Sequence, residues 1–475
     1  MGATKTRDHS VLAIFDPATT SFKLAVLLGA CFLTFGSYYC YDIVGALSTT
    51  LLNPFYGINN TQESFLYAVY SLPNTVLPFF GGLLVDKVLG VKFGGILFGG
   101  LVFLGQVIWA TSAFFPTSGG FYLAIFGRFV FGLGGESLSV TQSTYCGKWF
   151  DKDQLGTAFG ITLAFARIGS AINFLITPFL GNVGVGLALW FGVLTCTISM
   201  IFALQLAFWD RKGEKVHPPS TAESDVIHFK DILKFRYTLW FLIIVCVFFY
   251  ISVFVWLQNA VAFFVKVYGI SNGRAGIVVS IPYFVAAFAA PTFGFIIDKT
   301  GLILLWLAFA CLLNCVNMLV MLFLTFIPPA IPMFFVGISY SMVAASLWPC
   351  IPLIVKGHEL GTAYGLFFAI QNVGLFLAPL LVGHITNTGY YTTMMLTFAE
   401  CSFLAFALTI SVAVCDFFEG RRINKTAKEL RAQKLLDEAE KEIEESSNIS
   451  LIKKTGSVNP DDSYDRFALQ DDFEQ

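Results

Sequence analysis

Apolar stretches of about 20 residues, the length a helix needs to cross roughly 30 Å of hydrocarbon, recur along the whole chain with short polar breaks between them. Twelve can be counted, centred near residues 34, 74, 103, 133, 167, 198, 250, 284, 312, 343, 372 and 402. Polar residues dominate in only three places: at the start, between Asp210 and Arg236, and after Val414. The pattern predicts an all-α membrane protein made of a tail over 1–21, a six-helix bundle over 22–209, a linker over 210–236, a second six-helix bundle over 237–414 and a tail over 415–475.

Composition agrees with this layout. With 56% hydrophobic and 13% charged residues, 475 residues are too apolar for a soluble domain and too many for one anchored helix. The net charge of -2 averages over separated basic and acidic zones, so the positions of the charges are more informative than the total. Lys5, Arg7, Lys87, Lys92, Lys148, Lys152, six basic residues of the 210–236 segment, Lys299 and Lys356 fall on alternate loops, whereas the loops between carry none; Lys266 and Arg274 alone break the series. Basic residues accumulate on the cytoplasmic side, so both termini are expected there. The first 20 residues are too polar for a cleaved signal peptide, and the first span is expected to serve as the signal.

Two segments repeat in register about 210 residues apart. GGLLVDKVLGVK, with Gly82, Asp86, Lys87 and Gly90, follows the second span, and GFIIDKTG, with Asp298 and Lys299, follows the eighth. LGTAFG at 155–160 opens the fifth span and LGTAYG at 360–365 opens the eleventh. The paired matches indicate two six-helix pseudo-repeats. A small residue lets helices approach, an aspartate can cap a helix end and a flanking lysine can pair across the gap, so these loops are expected to gate; a solvated turn is the plainer alternative. The loop pattern resembles the G-x-x-x-D-(K/R)-x-G-(K/R) signature of the major facilitator superfamily, although Gly90 and Lys92 stand later than that spacing. A closer resemblance, to lysosomal dipeptide transporters within that superfamily, runs through CFLTFGSYYCYD at 31–42, GRFVFGLGGESLSVTQSTY at 127–145, ARIGS at 166–170 and SYSMVAASLWP at 339–349. It covers about Cys31 to Val414 and implies a twelve-transmembrane-helix major facilitator fold.

Glu136 and Arg167 are ionisable residues within apolar runs, where a charge costs roughly 2.5–3.5 kcal/mol even on a lenient scale. At 1.5 Å per residue they lie about 18 Å and about 21 Å from the cytoplasmic ends of consecutive spans, hence at one depth. One reading is a buried structural ion pair. The other is a zwitterion clamp, in which Glu136 takes a substrate ammonium and Arg167 a carboxylate. In the resembled transporters the matching residues contact the termini of a dipeptide, which favours the clamp. Asp42 and Arg128 are placed toward the non-cytoplasmic face as a structural or gate pair. Tyr38, Tyr39, Trp256, Gln258, Tyr340 and Trp348 lie on spans that face the centre in the superfamily and are candidates for the cavity wall. Glu400 finds no partner in the sequence. Charges at two ends and apolar walls between them would accept many side chains.

The five histidines form no cluster at metal-ligand spacing, and no phosphate loop follows a strand. An enzyme, a pump driven by ATP, any cofactor and any nucleic-acid partner are therefore not expected. A carboxylate in the path can carry protons, but one held ionised by Arg167 carries them poorly, so uniport is expected over proton coupling. Asn59 begins an acceptor sequon between the first two spans, on the glycosylation-competent side. Tyr464 and Phe467 fit a tyrosine sorting signal read by adaptors, Gly2 and Thr6 a myristoylation pattern, and residues 421–447 an amphipathic helix for anionic lipid. The resemblance further implies a lysosomal membrane address, with the plasma membrane as the alternative, and a glycosylated single-span accessory subunit.

Overall fold

The computed structural model describes residues 20–77, 90–150, 152–213, 235–355 and 360–426, with 428, 429 and 432 beyond them. Among these, eleven helices are long and apolar enough to cross a membrane. The second span of the sequence pattern is described only in part, as Asn60–Ser71 and a 3-10 turn at Pro73–Thr75; residues 78–89, with Gly82, Asp86 and Lys87, lie outside the described residues. Tyr464 and Phe467, Gly2 and Thr6 and nearly all of the 210–236 and 427–475 segments lie outside them too.

The first span is longer than its apolar pattern suggests. It comprises Thr20–Tyr41 and Ile43–Tyr56 and continues past Asn53 and Pro54, which read as loop residues in the sequence. Asp42 therefore sits at a break in the middle of a 36-residue span, not near its end. A second irregularity follows at Ser48, whose φ of 55° is a costly conformation for a residue with a side chain. The seventh span is broken at the corresponding place, where a π turn at Ile251–Val255 separates Tyr237–Tyr250 from Trp256–Val267.

Breaks at membrane depth release backbone polar groups that must find partners within the protein. At the first break, the carbonyls of Cys40 and Tyr41 would ordinarily bond the amides of Val44 and Gly45. Here both accept from the Arg128 guanidinium at 3.2 Å, and the Gly45 amide donates to the Tyr67 hydroxyl at 2.8 Å. At the second break, Ser252 donates to the Phe398 carbonyl at 2.8 Å, and the Asn314 amide donates to Ser252 and Ser402 at 3.0 and 2.7 Å.

The remaining spans are Gly90–Ser112, Ser118–Trp149, Lys152–Val183, Val185–Gly213, Asn272–Thr300, Ile303–Phe323, Ala330–Ile354, Leu360–Asn387 and Tyr391–Phe418. Spans one to four and six share one core, around Leu33, Trp109, Phe131 and Leu189, and spans seven to twelve a second, around Phe249, Trp256, Met318 and Phe398, which Ala46 of span one and Ala171 and Phe174 of span five also join. The architecture is thus the predicted all-α one, two helical bundles side by side. Glycines 132 and 134 serve packing: a Cβ on them would meet the carbonyl oxygens of Tyr70 and Phe98 at 2.5 Å, so only glycine lets spans two and three lie so close to span four.

The bundles touch mainly at the face opposite the one where the first span begins and the last ends. Asn387, ending the eleventh span, accepts from the Asn60 amide at 2.8 Å and donates to Thr61 at 2.7 Å. Thr50 donates to Asn272 at 2.8 Å. A Cβ on Gly383 would meet the Asn60 carbonyl oxygen at 2.9 Å. Asn59 lies exposed on this face, where its side chain and that of Gln62 form a reciprocal capping box.

At the terminal face, the buried Asp416 carboxylate accepts the amides of Arg422, Ile423 and Asn424 at 2.9, 2.9 and 3.0 Å. The segment so folded reaches the turn after the eighth span, where the Leu302 amide donates to the Lys425 carbonyl at 2.8 Å. Asp298 and Lys299, one turn earlier, are exposed; the Lys299 ammonium sits 4.2 Å from the ring centre of Phe295 on its own helix. Gly90 opens the third span with a φ of 66°, a left-handed conformation that suits glycine.

Candidate substrate cavity

Between the bundles lies a cavity of about 390 Å³, within the range of small-molecule sites, which is roughly 300–1,000 Å³. Glu136 of the fourth span and Arg167 of the fifth both line it. No ion pair joins them, and neither side chain has a hydrogen bond among the described residues, so two opposite charges face one space without neutralising each other. The Arg167 guanidinium carbon lies 5.9 Å from the ring centre of Tyr38 and 4.9 Å from that of Tyr340, an aromatic seat that stabilises a cation without satisfying its donors.

Asp42 lines the same cavity, held by a long hydrogen bond from Tyr283 of the eighth span at 3.4 Å. It forms no ion pair with Arg128. That guanidinium is fully buried, donates also to the Leu66 carbonyl at 3.1 Å, and is ringed by Tyr41, Tyr67, Tyr70, Trp109 and Phe131 at 5.2–5.8 Å. The break in the first span explains the difference from the expected pair, because the carbonyls it frees take the arginine's donors.

Of the aromatic and amide candidates, Tyr38 and Trp348 line the cavity. The Trp348 indole donates to the Tyr250 hydroxyl at 2.8 Å and stacks on Phe368 at 4.9 Å. Tyr340 stands behind Arg167. Gln258 also stands one layer back, donating to the hydroxyl of the cavity residue Tyr41 at 3.2 Å. Tyr39 and Trp256 face away: Tyr39 pairs with Thr177 at 2.7 Å, and Trp256 is packed among Phe263, Phe264 and Phe398. Residues that the sequence reading missed include Tyr41, Tyr70, Ser170, Tyr250, Tyr283, Gln371 and Asn372. Only the amide pair at 371–372, polar within an apolar span, offered a signal.

The cavity's partly exposed wall, with Phe159, Leu163 and Phe368, lies near the starts of the fifth and eleventh spans at the terminal face. It is open there, and the contacts of Asn387, Thr50 and Gly383 close the other side. Glu400 lies apart, exposed on the outer face of the twelfth span in an apolar groove with Cys315 and Phe403.

Two bundles of spans around a largely apolar cavity that holds a few charges, sealed at one face and open at the other, define a membrane solute carrier. The chain belongs to the Major Facilitator Superfamily, whose family model matches residues 27–420. It is similar to the human lysosomal dipeptide transporter MFSD1, 38% identical over 88% of this chain and 91% of that one. The zebrafish lysosomal dipeptide transporter MFSD1 is 35% identical over 87% of this chain and 91% of its own length. Among solved structures, a peptide transporter, POT, in complex with sulfate shares the fold with a TM-score of 0.64 at 13% identity, over 87% of this chain and 99% of the other. A bacterial homologue of the lysosomal transporter Spinster, inward-facing and unoccupied, gives 0.59 at 15% identity, over 86% and 98%.

Proposed function

We propose that the chain is an alternating-access uniporter that carries dipeptides from the lysosome lumen to the cytosol. The observation that carries this reading is the pair of opposite, mutually unpaired charges, Glu136 and Arg167, on one small cavity. A dipeptide brings an ammonium and a carboxylate a few ångströms apart and can satisfy both at once by charge-assisted hydrogen bonds. The 35–38% identity to the human and zebrafish dipeptide transporters, over most of each chain, supports the substrate class and the lysosomal address. With the basic loops on the cytosolic side, the open face is cytosolic and the sealed face lumenal.

Asp42 and Arg128 serve this cycle as cavity wall and strut, and the loops at Gly82, Asp86, Lys87, Gly90, Asp298 and Lys299 as cytosolic gate elements. The chain acts as a carrier without catalysis. A single-span accessory subunit and sorting adaptors that read Tyr464 and Phe467 are its proposed protein partners, and Asn59 its glycan acceptor.

Asp42 favours one alternative. A second carboxylate on the cavity, held by a phenol and not by an arginine, would suit a proton-coupled carrier of single amino acids or another small organic solute. Uptake of labelled neutral dipeptides into proteoliposomes, with and without a pH gradient, separates the readings. Flux that needs no gradient and is abolished by Glu136→Gln and by Arg167→Gln supports the uniporter. Flux that both variants retain would overturn the clamp, and flux only with a gradient would overturn uniport.

A further inference from the structure

Among the described residues, the cavity's charges all come from the first bundle, and the second bundle contributes no ionised side chain to it. What the second bundle offers is an aromatic wall and, from the eleventh span, the carboxamides of Gln371 and Asn372. Asn372 is engaged, donating to the Phe368 carbonyl at 2.9 Å. Gln371 is not: it lines the cavity, is only 7% exposed, and its buried Oε1 has no hydrogen-bond partner. No hydrogen bond is made by its Nε2 among the described residues either. A buried amide left unpaired is costly; the Oε1 is shielded from the cavity in this conformation, and rotation of the side chain would bring the amide onto the cavity wall, where a ligand can complete it.

Two charges fix the ends of a zwitterion but say nothing of what joins them. Single amino acids, dipeptides and ω-amino acids all carry an ammonium and a carboxylate. The feature that sets a dipeptide apart is the peptide group between its ends, one N–H donor and one C=O acceptor in a plane. A carboxamide can pair with either side of it, donating its N–H to the peptide carbonyl or accepting the peptide N–H on its oxygen, one at a time because the two groups of a trans peptide point in opposite directions.

Resting on the dipeptide reading of this cavity, we propose that Gln371 is the specificity-determining residue that hydrogen-bonds the substrate's peptide group. The first bundle then reads the termini and the second reads the bond between them, so a dipeptide joins the bundles in a way that a bare zwitterion does not. This arrangement leaves the side chains to the aromatic wall, where contacts are apolar and tolerant.

The test compares glycylglycine with 5-aminopentanoate, which spaces the ammonium and carboxylate similarly but has no peptide group. Transport by the purified full chain in proteoliposomes is measured as kcat/KM for both, in the wild type, Gln371→Leu and Glu136→Gln. The wild type is expected to prefer glycylglycine by about tenfold, the worth of one to two buried hydrogen bonds. Gln371→Leu is expected to bring that ratio near one by lowering glycylglycine transport much more than 5-aminopentanoate transport, whereas Glu136→Gln lowers both substrates together. A ratio in Gln371→Leu equal to that of the wild type would overturn the assignment with the dipeptide reading intact. Failure of the wild type to move either compound would instead overturn the dipeptide reading itself.

Discussion

The guanidinium of Arg167, on the fifth span, lies 4.9 Å from the ring centre of Tyr340 on the tenth, so the cavity's cation rests on an aromatic face from the opposite bundle. Because the two residues belong to different bundles, movement of the bundles during transport would strip Arg167 of this seat or return it. The carboxylate end of a substrate is thus linked to the relative position of the halves. Cation–π contacts are worth about 0.5–2 kcal/mol, rising with desolvation.

Tyr340→Leu is therefore expected to raise the KM for dipeptides by about 2- to 30-fold, the range those energies imply. Tyr340→Phe, which keeps the ring, is expected to stay within about twofold of the wild type. Equal losses in both variants, measured by proteoliposome uptake, would mean that the phenol and not the ring face matters.

Arg128 is a strut for the broken first span, and its substitution should act on stability more than on substrate affinity. Arg128→Lys keeps the charge but cannot reach the Cys40, Tyr41 and Leu66 carbonyls with one ammonium, and each carbonyl left unpaired costs about 1–3 kcal/mol. Its melting temperature in detergent should fall clearly, whereas Asp42→Asn should change it little. A large loss in Asp42→Asn matched by Arg128→Lys would instead restore the view of the two as a coupled pair.

The many-span, two-bundle layout was legible in the sequence, as was the sharing of one cavity by Glu136 and Arg167, because hydrocarbon demands long apolar helices and makes an ionised residue within them expensive. The breaks at Asp42 and Ile251–Val255 were not. Asp42 marks CYDIV as charged but does not tell a break from a charge on an intact helix, and nothing in YISVFV departs from an ordinary apolar helix; the side chains that meet each break come from other spans, Arg128 on the freed carbonyls in one case, and Asn314 and Ser402 on the Ser252 hydroxyl in the other. Helical phase was equally hidden. Tyr38 and Tyr39 are neighbours of one type, yet one faces the cavity and the other pairs with Thr177, since in a membrane bundle both core and cavity accept aromatic residues. Gln371 escaped notice because neutral amides, even the adjacent pair with Asn372, read the same whether they brace a helix or await a ligand.

The sealed face should be lockable. Thr50 and Asn272 meet across the bundles with their side-chain oxygens 2.8 Å apart, so cysteines at these two positions should be close enough to cross-link. Oxidation of the Thr50→Cys, Asn272→Cys double variant is expected to stop transport and reduction to restore it, with each single variant indifferent to oxidant. Transport that continues after complete cross-linking, scored by a mobility shift, would show that this face need not open.

Asp416 organises the turn that clips the end of the twelfth span to the turn after the eighth. Its carboxylate is 2% exposed and accepts three consecutive amides, and hydrogen bonds to a charged group are worth about 1.5–3 kcal/mol. Asp416→Ala removes all three, and Asp416→Asn keeps an acceptor without the charge. The alanine variant should lose amide-exchange protection at Arg422, Ile423 and Asn424 by about tenfold or more, and asparagine by less, with trypsin cutting faster after Arg421, Arg422 and Lys425. The effect should reach Leu302, whose amide rests on the Lys425 carbonyl, and should leave the sealed face, with Asn60 and Asn387, untouched. Beyond the clip, Thr426 and Glu429 form a second capping box, in which the Thr426 amide and hydroxyl hold the Glu429 carboxyl below its ordinary value of 4.5. A carboxylate depressed in this way contributes its cap above that ordinary value and loses it only as the pH falls through the lower folded one. Exchange at the Thr426 and Glu429 amides should therefore be constant from pH 7 down to about 5, apart from the intrinsic chemistry of exchange, and rise only in stronger acid. A rise already at pH 6 would mean that some group other than Glu429 governs the start of the tail.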